Sequence, residues 1–573
     1  MCILVPGRGG MARQHLHAPP PERAAFYPGE AMGTEGSIRA VKKLTVALVG
    51  MQAESGGDTV VHRGNALGIA LLKSFCDARP ELSGAPRIVL FDESAAVPPE
   101  TLADRIIAVR PDVAGFSLRE CNYRICAQTA LLLRRARPGI KIIIGGYEAW
   151  ARTGLMLRLC GADCAVIGEG ETPFAQLMLA WTRGQSGYGI LGTARLRGGI
   201  VDYAPSRGPL DLGQSVSPYL DGTYDAREYR RNWITLETSR GCPNSCSWCS
   251  WPNSCEIRYF PMEKVKREIA FACSLPEQCA VSFADSNIFS SPQRAVEILQ
   301  AIRRFDPEQK RRWGFNPYPG HITPEIAKLC NHRHMEVACG IETRTPRALK
   351  LNLRPYNFRA EEYGARLLLE HAPLAHVPAQ LICGLPGDTL ADFLNSVDEA
   401  YRIGFKKVDV FPLNVLPGTR LYRHAEESGV KFMPESPFLA LETPDFPARD
   451  ILRAHYIVSV METLRRDPRC REPLLEHARA GGSASSAALE LEARLRRAGL
   501  DIGRPLQNMR PQNAISPLTH GMTRHCAIPE NLGGIIAGWA HELRENRPPT
   551  ALPGRKPVPR GTAKTCAPAE AAK

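Results

Sequence analysis

Short, largely apolar runs separated by helix-length stretches constrain this chain more than any other feature. The first is Lys43-Leu-Thr-Val-Ala-Leu-Val-Gly50. Residues 87–92, 112–117 and 141–146 repeat the pattern, with helical spacing over about 64–79, 99–109 and 123–137. A strand without polar alternation is buried on both faces, and a helix between two such strands returns the chain to pair in parallel. Residues 41–185 are therefore expected to form a doubly wound, Rossmann-like α/β sheet. Ligands of such sheets sit at the carboxyl ends of the strands, here the loops after Val49, Ser117 and Ile144. In the last loop Gly145 and Gly146 carry no side chains, so a ligand can approach the backbone.

A second strand–helix series begins at Trp233, with strands expected at 233–237, 280–284, 313–316, 336–341, 379–383 and 407–411. The first of these runs into Thr238-Ser-Arg-Gly-Cys-Pro-Asn-Ser-Cys-Ser-Trp-Cys249. Cys242, Cys246 and Cys249 are spaced C-x3-C-x2-C on one loop, so three thiolates can hold three corners of a 4Fe–4S cube. Cluster loops normally supply four cysteines, and a missing fourth leaves one iron open to another ligand. The alternatives are a zinc site or buried structural thiols. Zinc asks for four ligands, usually in paired C-x2-C units, and no such partner stands at suitable spacing.

C-x3-C-x2-C after the first strand of such a series resembles the radical S-adenosylmethionine enzymes. The resemblance implies a partial (β/α)6 TIM-type barrel over 231–430, with Cys242, Cys246 and Cys249 as cluster ligands and S-adenosylmethionine on the open iron. Strand ends carry the chemistry of barrels. Asp285 and Asn287, after the second strand, can bond the methionine amino group or a substrate; helix capping is the alternative. Glu342, after the fourth, resembles the family's ribose-binding acid. Gly384-Leu-Pro-Gly-Asp-Thr389 resembles its G-x-P-G-E-T segment with Asp388 in place of glutamate, which makes Gly384 a cofactor contact; a plain tight turn is the alternative.

Upstream, the strand–Gly-Gly–helix followed by Val166-Ile-Gly-Glu-Gly-Glu171 resembles the cobalamin-binding domain that precedes many radical S-adenosylmethionine barrels. This implies cobalamin beside Ser117, Arg119, Gly145, Gly146 and Glu169. Many such domains place a cobalt-ligating histidine in D-x-H-x-x-G. Here Met51-Gln-Ala-Glu-Ser-Gly-Gly-Asp58 lacks it, and the spacing of His62 does not match, so cobalt without a histidine ligand is expected. Arg119 is a candidate for the lower face of the corrin; a surface pair with Glu120 is the alternative.

The chain as a whole resembles the cobalamin-dependent radical S-adenosylmethionine enzymes of methyltransferase type. That family uses one S-adenosylmethionine to form methylcobalamin and cleaves a second at the cluster. The resemblance implies C-methylation of an unactivated carbon in a natural-product or secondary-metabolite precursor, small molecule or peptide, with flavodoxin or ferredoxin as electron donor. Rearrangement, cyclisation or ring contraction without methyl transfer is the alternative. An RNA methylthiotransferase would need a second cysteine triad and a basic C-terminal β-domain, and neither is visible.

Composition agrees with this reading. At 573 residues, 44% hydrophobic and 23% charged, the chain is globular and long enough for several domains. No run reaches the roughly 20 apolar residues of a membrane span, and the N-terminus has no apolar signal region. The net charge of +13 is dispersed, which argues for a solvated surface over nucleic acid. The eighteen cysteines are mostly single and set in apolar runs, which suits a reducing cytoplasm. The expected layout has tails at 1–40 and 546–573, a connector at 186–230 and a mainly helical region at 431–545. Amphipathic helices fall at 450–464 and 487–500, and a monomer is expected. His525 and Cys526 are an isolated pair with little claim to a metal.

Overall fold

The computed structural model describes residues 43–52, 65–206, 208–227, 229, 231–250, 256–502 and 528–545. The two expected tails, the stretch 53–64 with His62, and His525 and Cys526 lie outside the described residues.

The first half is β1 (Leu44–Gln52), α1 (Leu67–Asp77), β2 (Pro86–Ser94), α2 (Pro99–Ala108), β3 (Val113–Ser117), α3 (Tyr123–Ala136), β4 (Lys141–Gly145), α4 (Tyr147–Ala151), α5 (Thr153–Leu159), β5 (Cys164–Val166), α6 (Glu171–Thr182), β6 (Thr193–Arg197) and β7 (Ile200–Ala204). They form one sheet in the order β2-β1-β3-β4-β5-β6-β7. The pairs from β2 through β5 are parallel, as the apolar runs require. Alternate residues feed two cores: Ala47, Val49, Ala114, Phe116, Ile142 and Ile144 one, Val46, Leu48, Val113 and Ile143 the other. The expected connector 186–230 needs correction, because residues 193–204 form an antiparallel hairpin that hydrogen-bonds the free edge of β5. The strand order reverses between β1 and β3, and such a switch point opens a crevice at the strand ends.

The second half continues with β8 (Trp233–Leu236), β9 (Ser239–Arg240), β10 (Arg258–Tyr259), α7 (Met262–Ser274), β11 (Ala280–Phe283), α8 (Pro292–Phe305), β12 (Trp313–Phe315), α9 (Pro324–Leu329), β13 (Met335–Val337) and β14 (Cys339–Glu342). Then come α10 (Pro346–Leu351), α11 (Phe358–His371), β15 (Ala379–Cys383), α12 (Leu390–Ile403) and β16 (Val408–Pro412). Apart from the antiparallel β9–β10 ribbon, the strands are parallel, in two sheets ordered β13-β12-β11-β8 and β14-β15-β16. The single fourth strand expected at 336–341 is thus two, broken at Ala338. There the backbone hands its bonding over: Ala338 N donates to Phe315 O on one side, and Cys339 N donates to Pro378 O on the other.

Beyond β16 stand α13 (Arg420–Arg423), β17 (Lys431–Phe432), β18 (Ala440–Glu442), α14 (Ala448–Arg466), α15 (Pro468–Arg479), α16 (Ala484–Arg497) and α17 (Gly533–Glu545). The helices α14 and α16 answer the two expected amphipathic stretches. Their apolar faces, with Ile451, Ala454, Ile457, Leu491 and Leu495, join the core of the second half. Among the described residues no helix is long and apolar enough to cross a membrane.

Candidate functional site

The cysteine loop hangs from a narrow neck. Strands β9 and β10 pair antiparallel, with Ser239 opposite Tyr259 and Arg240 opposite Arg258, and the three cysteines lie between them in sequence. At the base of the neck Gly241 has φ +105, and a Cβ there would stand 1.9 Å from Glu256 O. Only glycine fits. Cys242 and Cys246 are partly buried and Cys249 is exposed.

Strand ends of the second half clamp this loop. Asp285, buried after β11, accepts from Thr238 N at 3.0 Å, Thr238 Oγ1 at 2.6 Å and Ser239 Oγ at 2.5 Å. Ser286 Oγ donates to Gly241 O at 2.5 Å. Asp285 is therefore engaged with the loop itself. It does not cap α8, whose N-cap is Ser291. Asn287 likewise serves a neighbouring loop: its carboxamide meets His321 Nδ1 at 3.0 Å and accepts from Tyr318 N at 3.3 Å. Between the second and third cysteines, Ser247 bonds Asn352 through backbone and side chain, 2.9 and 2.7 Å, and Leu421 N donates to Ser247 O at 2.8 Å. Trp248 packs against the apolar cluster of Leu385, Leu413, Val415 and Leu421.

Glu342 ends β14 in the left-handed region at φ +64, a conformation that costs a non-glycine residue on the order of 1 kcal/mol and gathers at functional sites. Burial pushes its carboxyl up, and Arg354 opposes that shift from 3.5 Å away. The same guanidinium donates to Gly340 O at 3.1 Å and lies 3.9 Å from Cys246 Sγ. An acid, a cation and a loop cysteine thus meet beside the second strand group. Gly384 stands nearby at the end of β15, with φ +93.

The strand ends of the first sheet form the other wall. Asn122, fully buried, donates to Met51 O and to Ser117 O, both at 3.1 Å, and so stitches β1 to β3 at the switch point. Gly146 has φ +85, and a Cβ there would stand 2.7 Å from Leu118 O, so Gly145 and Gly146 bring the loop after β4 onto the loop after β3. Tyr147 follows, donating to Pro417 O at 2.6 Å across to the second half. Its phenol is pushed up chiefly by burial, and the segment it bonds, 417–421, also holds the cysteine loop through Leu421 N and Ser247 O. Arg119 is exposed at this rim, and among the described residues no ion pair joins it to Glu120.

Glu169 is engaged with the neck of the cysteine loop. Its carboxylate accepts from Leu210 N at 2.8 Å and pairs with Arg258 and, at 3.6 Å, with Arg240, so its described partners are protein groups. The arginines, Glu171, Asn122, Asn352 and Arg354 were not singled out from the sequence. The motif strings Arg240-Gly241 and Gly170-Glu171 were the available signal, but nothing local says that two strings so far apart are partners.

The donor types are those of an iron–sulfur cube: Cys242, Cys246 and Cys249 stand on one loop, with Cys249 exposed and the other two partly buried. A cube takes one thiolate at each of several separated corners, which a loop carrying spaced cysteines can provide.

Residues 56–178 match the B12 binding domain family. The cobalamin-dependent radical SAM methyltransferase TokK of Streptomyces tokunonensis is 26% identical over 400 residues, covering 64% of this chain and 55% of TokK. The chain thus spans about half the length of that relative. The structure of the radical S-adenosylmethionine methyltransferase TsrM from Kitasatospora setae, with cobalamin and a [4Fe-4S] cluster bound, superposes with a TM-score of 0.54 at 17% identity. It covers 68% of this chain and 76% of TsrM. The cobalamin-dependent S-adenosylmethionine radical enzyme OxsB, with aqua-cobalamin and S-adenosylmethionine bound, gives 0.60 at 13% identity over 88% of this chain and 80% of OxsB. At such identities the structural likeness speaks for the fold.

Proposed function

For a chain with a B12 binding domain and the fold of the cobalamin-dependent radical S-adenosylmethionine enzymes, we propose C-methylation of an unactivated carbon in a natural-product precursor. The observation that supports this reading is that both loops rest on one segment: Tyr147, after Gly145-Gly146, donates to Pro417 O at 2.6 Å, and Leu421 N donates to Ser247 O of the cysteine loop at 2.8 Å. In this reading one chain offers an iron–sulfur site and a corrin site side by side.

In this reading Cys242, Cys246 and Cys249 would hold the cluster, and S-adenosylmethionine would bind beside it. Glu342 would accept from the ribose and the backbone at Gly384 would line the nucleoside. Ser117, Gly145 and Gly146 would bring main chain close to a corrin, and Arg119 would set a cation beside it. When bound, the cluster supplies the electron that breaks a sulfonium bond and the corrin supplies a transferable methyl group, a division in which the protein binds and orients. The protein's own work is then positional. Asp285, Ser286 and Asn352 hold the cysteine loop rigid, and Arg354 sets a fixed cation beside Cys246. A low-potential one-electron donor and a small organic or peptide substrate complete the set.

The test is anaerobic reconstitution with iron, sulfide and cobalamin, followed by turnover with methyl-labelled S-adenosylmethionine on precursors made by neighbouring genes. A labelled product heavier by one methylene is expected. An unlabelled isomer or dehydrogenated product would replace methylation by rearrangement or ring contraction. Alanine at all three cysteines should abolish both the visible absorption of the cluster and 5′-deoxyadenosine formation.

A further inference from the structure

The neck of the cysteine loop presents an electrostatic problem that its own strands do not solve. Arg240 and Arg258 stand directly opposite each other in the two-residue β9–β10 ribbon, and like charges in that position repel. Glu237 answers part of this locally, bonding Arg240 at 2.9 and 3.0 Å. The remainder comes from the other half of the molecule. Glu171, in the first turn of α6, meets Arg240 Nη2 at 2.7 Å, and its side chain is only 5% exposed. Glu169, just before α6, bridges the two arginines, pairing with Arg258 and standing 3.6 Å from Arg240 Nη1. Arg258 also donates to Leu210 O at 2.7 Å, and Leu210 N returns a bond to Glu169 at 2.8 Å.

We propose that Glu169 and Glu171 are a latch that grips the neck of the cysteine loop and fixes it against the first sheet, so setting the spacing between the cluster and the corrin. These are positioning residues: their described partners are Arg240, Arg258 and Leu210. The geometry gives both glutamates of Gly168-Glu-Gly-Glu171 partners on the neck, Arg240 and Arg258. It also explains why the residue two before Cys242 is an arginine. A guanidinium offers several donors in a rigid fork, so one side chain can hold Glu237, just after β8, and Glu171, in α6, at once. The first cysteine is two residues beyond this clasp, so movement of the clasp moves the loop that carries the cluster. Partly buried pairs of this kind, sheltered from salt, fix register more than they add stability.

This inference rests on the proposed cofactor pair, and the experiment separates the two. Reconstituted wild-type protein and the Glu171→Gln and Glu169→Gln variants are compared for iron and cobalamin content. The spin relaxation of Co(II) caused by the reduced cluster, measured by electron paramagnetic resonance, then reports the spacing. A latch predicts full loading of both cofactors in the variants with a changed relaxation enhancement, and a several-fold rise in 5′-deoxyadenosine formed per methylated product. Loss of iron with cobalamin and the circular-dichroism melt retained also supports it, since the neck has opened. Full loading with wild-type relaxation in both variants overturns the latch. If Glu171→Gln does not fold, the more exposed Glu169→Gln decides. Wild-type protein that takes up no cluster or no cobalamin overturns the proposed function instead.

Discussion

Alanine in place of Gly241 is expected to open the neck of the cysteine loop while leaving both cores standing. At φ +105 an L-residue lies outside even the left-handed region, at a cost on the order of 1–3 kcal/mol. The new Cβ would also stand 1.9 Å from Glu256 O, 2.8 Å from Glu256 C and 3.1 Å from Ile257 Cα. All three neighbours are main chain, so no side-chain rotation relieves the overlap. The two sides of the neck must part by about 1 Å to restore ordinary contact. That motion breaks the short β9–β10 ladder and the Ser286–Gly241 bond, at about 1 kcal/mol for each hydrogen bond lost. The local penalty is roughly 3–5 kcal/mol, and a factor of ten accompanies each ~1.4 kcal/mol. The competent form of the loop should therefore fall at least a hundredfold or so. Local openings of this kind leave global stability largely intact. The assay is urea unfolding of the apo protein by circular dichroism, beside iron content and visible absorption after anaerobic reconstitution. Gly198→Ala is the control, because Gly198 also has positive φ but open space around its Cβ position. Iron binding at wild-type stoichiometry in Gly241→Ala would refute the neck geometry.

Two further outcomes concern single side chains. Asp388, fully buried behind the Gly384 turn, has its carboxyl pushed up from 3.8 to about 6 by burial, with Thr345 and Thr343 opposing. Its folded-state value is the higher one, so it favours the fold fully below pH ~4, and that contribution is lost as pH rises to about 6. At about 1.4 kcal/mol per unit the loss approaches roughly 3 kcal/mol. Asp388→Asn should lack this slope in denaturation curves taken from pH 4 to 7, and parallel curves for the two proteins would count against it. Arg119→Ala should alter the Co(II) spectrum of the cobalamin-loaded protein; an unchanged spectrum and affinity would make Arg119 an ordinary surface residue.

The amino-acid sequence by itself determined what depends on near neighbours. Apolar runs of strand length separated by helical spacing implied the two parallel strand series, because burial on both faces leaves a period that needs no partner to be read. The C-x3-C-x2-C spacing and the two glycines after β4 were legible for the same reason. What the tertiary structure alone decided is which distant groups meet. Asp285, read from the sequence as a strand-end polar group, is bonded to Thr238, 47 residues away. Ser247 is held by Asn352 across 105 residues. Glu169 pairs with Arg258 across 89 residues. Hydrogen bonds and ion pairs like these are chosen by packing of the two halves, and charge alone does not name a partner. The break of the fourth strand at Ala338 and the hairpin over 193–204 are of the same kind, since both answer to free backbone groups on strands elsewhere in the chain.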